Sequence, residues 1–278
     1  MKGSIVSILS WLLRILDLEM TRPQLYGWFH ILWLFITVAS TVLLCHWGRK
    51  ASDKQICNVL LTVAIVVAVL EIYKQVNYTF TVTENGSIRA DYQWYAFPFQ
   101  FCSMPMYVGL LAGVIRKGKL HQALCAFLAS YAIFAGVCVM LYPADVFIST
   151  IGINIQTMIC HGSMITVGVY LLYTGHVKAS HETALKAMPV FAVAVMMAAV
   201  MNEIAHATGL LQQETFNMFF ISPYCEPSLP VYSLVQQHVP YPWCLIIYIL
   251  AFSLAAYIIL LLAIGAKRLS NNKKTAAV

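Results

Sequence analysis

Long apolar runs separated by short polar segments dominate this chain from residue 26 to residue 265. Each run is long enough to cross about 30 Å of hydrocarbon at 1.5 Å per residue, and all are far longer than the strands of a membrane barrel. The pattern therefore predicts an all-α fold, a single-domain helix bundle that crosses a membrane about seven times. The predicted spans are 26–47, 56–76, 97–115, 121–142, 151–173, 186–208 and 243–265.

The segment 4–18 has a different pattern from the spans. Its apolar residues follow helical spacing, whereas Arg14 and Asp17 lie elsewhere on the helical wheel. This arrangement is typical of an amphipathic helix that lies in the membrane interface. A signal peptide is disfavoured because Arg14 interrupts the apolar stretch and no small-residue cleavage site follows.

The composition excludes a soluble enzyme. Sixty per cent of the 278 residues are apolar and 10% are charged, whereas a soluble domain carries about 25% charged residues. The net charge of +6 comes from basic residues in short loops, so it predicts membrane orientation and no nucleic-acid partner. The eight cysteines show no CxxC pair, and most are expected to be free thiols within the membrane.

The distribution of basic residues predicts the orientation of the chain. Twelve of the 17 lysines and arginines lie in the odd-numbered loops and the C-terminal tail. The positive-inside rule therefore places the tail in the cytoplasm and the N-terminus outside. The loop around 77–96 is then external, and it contains two glycosylation acceptor patterns, at Asn77 and Asn85.

Polar residues inside the spans are the candidates for function, because burying them in hydrocarbon is costly. With the predicted orientation, they lie at the middle or in the outer half of the membrane. This bias predicts one polar cavity open towards the outer leaflet; the alternative is a set of separate hydrogen bonds between helices. The candidate residues are Glu71, Gln75, Gln100, Cys102, His161, Asn202, Glu203 and His206.

Two of these residues suggest nucleophilic chemistry. A cysteine is nucleophilic as the thiolate, which a neighbouring imidazole generates, so Cys102 and His161 form a candidate catalytic pair. Glu203 or Glu71 is a candidate for orienting the imidazole, although Glu71 is equally suited to an ion pair with Lys74. In the predicted span 97–115, Pro105 is expected to loosen the helical turn beside the Cys102 thiol.

A metal site is a weaker interpretation of the same polar residues. It would use His161, His206 and Glu203, but no recognised ligand spacing supports it. We therefore expect neither a metal nor a cofactor.

Three segments together resemble a known family. They are the stretch Pro98–Cys102, the stretch from Ile155 to Gly162, and the stretch from Asn217 through Pro227 to Trp243. In order, spacing and span number they resemble the YwaF-like family of bacterial integral membrane proteins. That family is similar to a vertebrate transmembrane lysophospholipid acyltransferase and, more distantly, to androgen-induced membrane hydrolases of fatty-acid esters.

The resemblance implies an acyl-transfer enzyme of a bacterial plasma membrane, with phospholipids or lysophospholipids as substrates. Cys102 would be the nucleophile and His161 the base. Members of the family often have histidine at the position of Gln100, and glutamine is able to donate a hydrogen bond to an oxyanion but not to act as a base. Gln100 or Asn202 would then hold the oxyanion.

Two functions without catalysis use the same architecture. One is a carrier or lipid-binding protein in which Glu71, Glu203 and His206 recognise the ligand; the absence of a visible inverted repeat disfavours it. The other is a receptor with an external N-terminus, which the very short inner loops disfavour. The long, proline-rich loop 209–242 is expected to cover the cavity.

Overall fold

The computed structural model describes residues 2–209, 216–226 and 229–275, and these form an all-α helix bundle with one small hairpin. The helices are α1 (Lys2–Leu16), α2 (Trp28–Trp47), α3 (Asp53–Asn77), α4 (Met104–Ile115), α5 (Gly118–Phe127), α6 (Ile133–Leu141), α7 (Ile151–Tyr173), α8 (His181–Thr208), α9 (Pro230–His238) and α10 (Tyr241–Thr275). The strands β1 (Phe80–Val82) and β2 (Ile88–Ala90) pair antiparallel.

Six helical segments within the described residues are long and apolar enough to cross a membrane. They are α2, α3, α7, α8, α10 and the continuous stretch Gly118–Leu141, in which a π-helical segment, Leu128–Ala132, joins α5 to α6. The predicted polytopic bundle is thereby confirmed. The surfaces of these helices carry large exposed apolar side chains, such as Trp28, Phe35 and Leu262, as expected of faces that contact lipid.

The predicted span 97–115 is the one that differs most from the structure. Its regular helix begins only at Met104, after a 3-10 turn over Phe101–Ser103, and the apolar helical stretch Phe101–Ile115 is shorter than the other spans. Pro105 lies in the first turn of α4, where a missing N–H costs nothing. The expectation that Pro105 loosens the interior of a helix is therefore wrong, because that proline starts the helix instead.

The N-terminal segment and the hairpin lie at one end of the bundle. Tyr73 near the end of α3 donates a hydrogen bond to the Leu16 carbonyl at 2.7 Å, and Met20 N–H donates to the Ser149 carbonyl at 2.7 Å. Apolar residues of α1, including Trp11, are exposed. This placement fits the predicted interfacial helix. In the structure, α1 begins and ends two residues earlier than the predicted segment 4–18.

The predicted loop 209–242 contains regular structure in its described part. Met218–Phe220 forms a 3-10 turn and Pro230–His238 forms α9. Met218 and Phe219 are buried in the bundle, so this segment packs into the core instead of covering it from outside. Pro227 lies outside the described residues.

Candidate functional site

Cys102 lies in the 3-10 turn that precedes α4, and its side chain is half-buried. The chain turns tightly at Pro98, where Phe99 N–H donates to the Phe97 carbonyl at 2.7 Å, and the turn Phe101–Ser103 then brings the cysteine to the top of the helix. The thiol is therefore carried by a short irregular segment that enters the bundle. Irregular backbone at membrane depth is tolerated only where protein or a cavity surrounds it.

His161 lies in the middle of α7 and is 6% exposed. Its Nδ1 lies 2.7 Å from the Thr157 carbonyl oxygen. A carbonyl only accepts, so Nδ1 carries the proton and Nε2 presents its lone pair. Among the described residues, Nε2 is buried and has no hydrogen-bond partner. A buried, unpaired ring nitrogen is costly, and in this tautomer it is suited to accept a proton.

The structure brings Cys102 and His161 to the same depth. Counting 1.5 Å per residue back from Ile115 and from Tyr173, the two residues lie about 20 Å and about 18 Å from the same end of the bundle. The Cys160 thiol lies 3.9 Å from the Cys102 carbonyl oxygen, so the two segments are in contact. Within the described chain, no hydrogen bond joins the Cys102 thiol to His161 Nε2. Catalytic hydrogen bonds in ligand-free enzymes are often long and tighten when substrate binds.

A charged cluster from α3 lies beside this pair. Glu71 is 7% exposed, pairs with Lys74 at 2.8 Å, and accepts a hydrogen bond from Gln75 at 2.7 Å. The ion pair with Lys74, the alternative role predicted for Glu71, is therefore observed. The Lys74 charge interacts electrostatically with both Cys102 and His161.

Residues that the sequence did not single out complete this cluster. Gln156, one α7 turn before Cys160, donates to Glu71 at 3.4 Å, and Tyr92 donates to Gln75 at 2.6 Å. Gln156 had a signal, since it is a buried polar residue five positions before His161. Tyr92 had none, because it lies after the hairpin and reaches α3 only through the fold.

Gln100 and Asn202 hold the backbone of residues 217–219. Gln100 Nε2 donates to the Asn217 carbonyl at 2.9 Å, and its Oε1 accepts from Phe219 N–H at 2.8 Å. Asn202 makes the same two-way contact with Met218, at 3.1 and 2.8 Å. Both amides are thus occupied by the main chain, and this geometry supports a structural role over the predicted oxyanion role.

Glu203 and His206 lie apart from Cys102 and His161. Both are exposed at the end of α8, where Tyr224 donates to Glu203 at 2.8 Å and stacks on His206 with ring centroids 3.5 Å apart. The bond to Glu203 raises the pKa of Tyr224. The polar residues therefore form separate groups, and the expectation of one cavity containing all of them is wrong. The ligand set of the predicted carrier, which joins Glu71 to Glu203 and His206, is not brought together.

Comparison with known protein families assigns the chain to a family. The model of the TMEM164 family matches residues 25–262, which is most of the sequence. The chain belongs to the TMEM164 family. No curated protein and no solved structure matches it.

In this TMEM164-family protein, an apolar cavity of about 410 Å³ opens between α3 and α4. Glu71, Gln75 and Tyr107 line it together with apolar side chains. The cavity thus reaches the charged cluster from the surface that contacts lipid. Neither Cys102 nor His161 lines the cavity. Glu71, which belongs to the charged cluster beside the pair, does line it.

Proposed function

We propose that the protein is a membrane-embedded acyl-transfer enzyme that acts on phospholipids. Cys102 is the nucleophile and His161 is its base. The observation that carries this proposal is the buried, unpaired Nε2 of His161, held in its tautomer by Thr157 on a helix that contacts the Cys102 segment. The resemblance to the YwaF-like family supports the same assignment.

The chemistry proceeds in two halves. In the first, the Cys102 thiol gives its proton to His161 Nε2 while Sγ forms a bond to the ester carbon of a phospholipid. The ester C–O bond then breaks, and the imidazolium returns the proton to the departing lysolipid oxygen. In the second half, His161 takes a proton from an acceptor hydroxyl, whose oxygen forms a bond to the thioester carbon. The C–S bond then breaks, and the imidazolium returns the proton to Sγ and restores the thiol. The acceptor is a lysolipid in a transferase and water in a hydrolase.

The cavity between α3 and α4 supports a lipid substrate. Its wall is largely apolar, and its polar residues, Glu71 and Gln75, lie where the acyl ester would meet the charged cluster. An acyl chain arriving from the bilayer would fill the apolar part without leaving hydrocarbon. The partners implied by this arrangement are membrane lipids.

A trapping experiment tests the proposal. Purified protein is incubated with phospholipid carrying a labelled acyl chain, and hydroxylamine-sensitive label on the protein is measured. We expect label on Cys102, its loss in Cys102→Ala, and a roughly 10²- to 10⁴-fold slower turnover in His161→Gln, which lacks the base. The chain released or transferred distinguishes hydrolysis from transfer.

Cys160→Ala is the matched control, because Cys160 is also a buried thiol and lies next to the Cys102 segment. It should keep the label and most of the turnover. Unchanged lipid turnover in Cys102→Ala would overturn the proposal.

A further inference from the structure

A second cluster of reactive side chains lies away from Cys102. His121 and Cys125 lie on α5, and His176 lies in the connection between α7 and α8. Four residues separate His121 from Cys125, so they share one face of the helix. The cluster is at the end of the bundle that carries Arg116 and Lys117, which is the end predicted to face the cytoplasm.

The distances within the cluster match those between ligands of one metal ion. Nε2 of His121 lies 3.0 Å from Nε2 of His176 and 3.5 Å from Sγ of Cys125. The three ligand atoms all lie within 4.8 Å of one another. Around a tetrahedral zinc ion, the bond lengths of its ligands place two nitrogens about 3.3 Å apart and a nitrogen and a sulfur about 3.6 Å apart.

Both imidazoles are held in place by a hydrogen bond at the ring nitrogen that faces away from the cluster, Nδ1. Nδ1 of His121 lies 3.1 Å from the Ala112 carbonyl oxygen, and Nδ1 of His176 lies 3.0 Å from a carboxylate oxygen of Asp53. These oxygens accept, so each Nδ1 donates. The two Nε2 atoms face each other, and His176 forms an ion pair with Asp53 when its ring is protonated. A proton on one Nε2 joins the two rings by a hydrogen bond of 3.0 Å, and when both rings are neutral a cation between them is bound by both lone pairs. Carbonyl and carboxylate partners of this kind are typical of histidines that bind zinc.

The surroundings admit a metal ion and restrict its identity. His121 is 4% and Cys125 is 1% exposed, yet both line a cavity of about 670 Å³ that also reaches His176. The cavity supplies an entry path and room for a water as fourth ligand. Its lining includes four lysines and arginines and two acidic residues, Asp53 and Glu182, so the negative charges of Asp53 and a Cys125 thiolate help to balance a cation. A set of one thiolate and two imidazoles suits zinc and not magnesium or calcium.

We propose that His121, Cys125 and His176 bind one Zn²⁺ ion. Binding forms one Zn–S and two Zn–N bonds and releases the thiol proton of Cys125 to water. Through Asp53 and Ala112, the ion links the start of α3, the end of α4, α5 and the α7–α8 connection. It stabilises the packing at this end of the bundle and takes no part in acyl transfer.

Metal analysis of the full-length protein, purified in detergent without chelators, tests this site. We expect about one zinc per chain, as a site with these three ligands requires. Replacing the ion with Co²⁺ should produce a thiolate-to-cobalt absorption band that Cys125→Ser lacks. His176→Gln should lose most of the zinc, and Asp53→Asn should bind it roughly 10- to 100-fold more weakly because its histidine is no longer held by a full charge.

Two matched variants control the measurement. Cys138→Ser removes an exposed thiol elsewhere, and His206→Gln removes an exposed histidine on α8; both should keep the zinc. Asp53 is the first residue of α3 and His176 lies in the α7–α8 connection, so their variants are expected to fold even if Cys125→Ser does not. Substoichiometric zinc in the wild type after zinc is added, or equal zinc in His176→Gln, would overturn the site. Loss of lipid turnover is not part of this test, so failure of one proposal leaves the other standing.

Discussion

At the scale of single residues, the sequence shows which side chains are polar and predicts bonding partners only when they are close in sequence. The pair formed by Glu71 and Lys74 is three residues apart on one helix, and its spacing alone predicted it. Gln100 meets residues 217 and 219 at a separation of more than 115 positions, and no local pattern carries that information. The same limit concealed the cluster of His121, Cys125 and His176, of which only the four-residue spacing on α5 is local.

The two hydrogen bonds of Gln100, to the Asn217 carbonyl and the Phe219 N–H, form a clamp that leads to a prediction about stability. Gln100→Ala removes a donor and an acceptor and leaves the buried Phe219 N–H unpaired, while the Asn217 carbonyl keeps only its 3.3 Å bond from Phe220 N–H. The unpaired N–H costs about 1–3 kcal/mol, so we expect the thermal midpoint in detergent to fall by several degrees. Gln122→Ala is the control, because Gln122 is exposed and bonds Lys186 at the surface. Equal midpoints for the two variants would show that the clamp contributes nothing.

At the scale of elements, apolar run length predicted the helices well and their irregularities poorly. The span 121–142 is continuous in the structure over Gly118–Leu141, but its π-helical segment has no mark in the sequence. The span 186–208 begins earlier, at His181, because the Ser180 side chain caps the helix by accepting from Thr183 N–H. The span 97–115 loses its first turn because Pro98 and Pro105 place the helix start below it. Hydrophobicity gives the length of a buried segment and does not give its backbone conformation.

The contact between α6 and α7 leads to a prediction about the element that carries His161. A Cβ at Gly136 would lie 2.7 Å from the His161 carbonyl oxygen, a main-chain atom that is not free to move away. Gly136→Ala should therefore push the helices apart, with a cost of about 1–3 kcal/mol and a loss of lipid turnover. Gly265→Ala on α10 meets no atom within 4 Å and should leave both properties unchanged. A fully stable Gly136→Ala protein would contradict this packing.

At the scale of the whole molecule, the shortness of α4 does not change the number of times the chain crosses the membrane. Arg116, directly after α4, donates to the Asn58 side chain near the start of α3 at 3.0 Å. The chain thus rises through α3, turns at the hairpin and returns through Trp94–Ile115 to its starting level. The irregular stretch replaces the outer part of a helix, and it is there that Cys102 lies. The seven predicted crossings, and with them the alternation of the loops, are therefore compatible with six long helices.

This alternation makes the predicted orientation testable with an impermeant maleimide on intact cells. Cysteines are introduced one at a time at Glu84, in the hairpin turn, and at Lys119, in the first turn of α5. Both replace exposed side chains, and they lie at opposite ends of the bundle. Because basic residues are retained in the cytoplasm, we expect Glu84→Cys to react in intact cells and Lys119→Cys to react only after permeabilisation. The reverse pattern would turn the molecule over, placing α1 and the entrance near Cys102 at the cytoplasmic leaflet and the proposed zinc site outside. The orientation therefore decides which leaflet would supply the lipid of the proposed reaction. It also decides whether the Cys125 thiol meets a reducing compartment, in which it stays free to bind a metal.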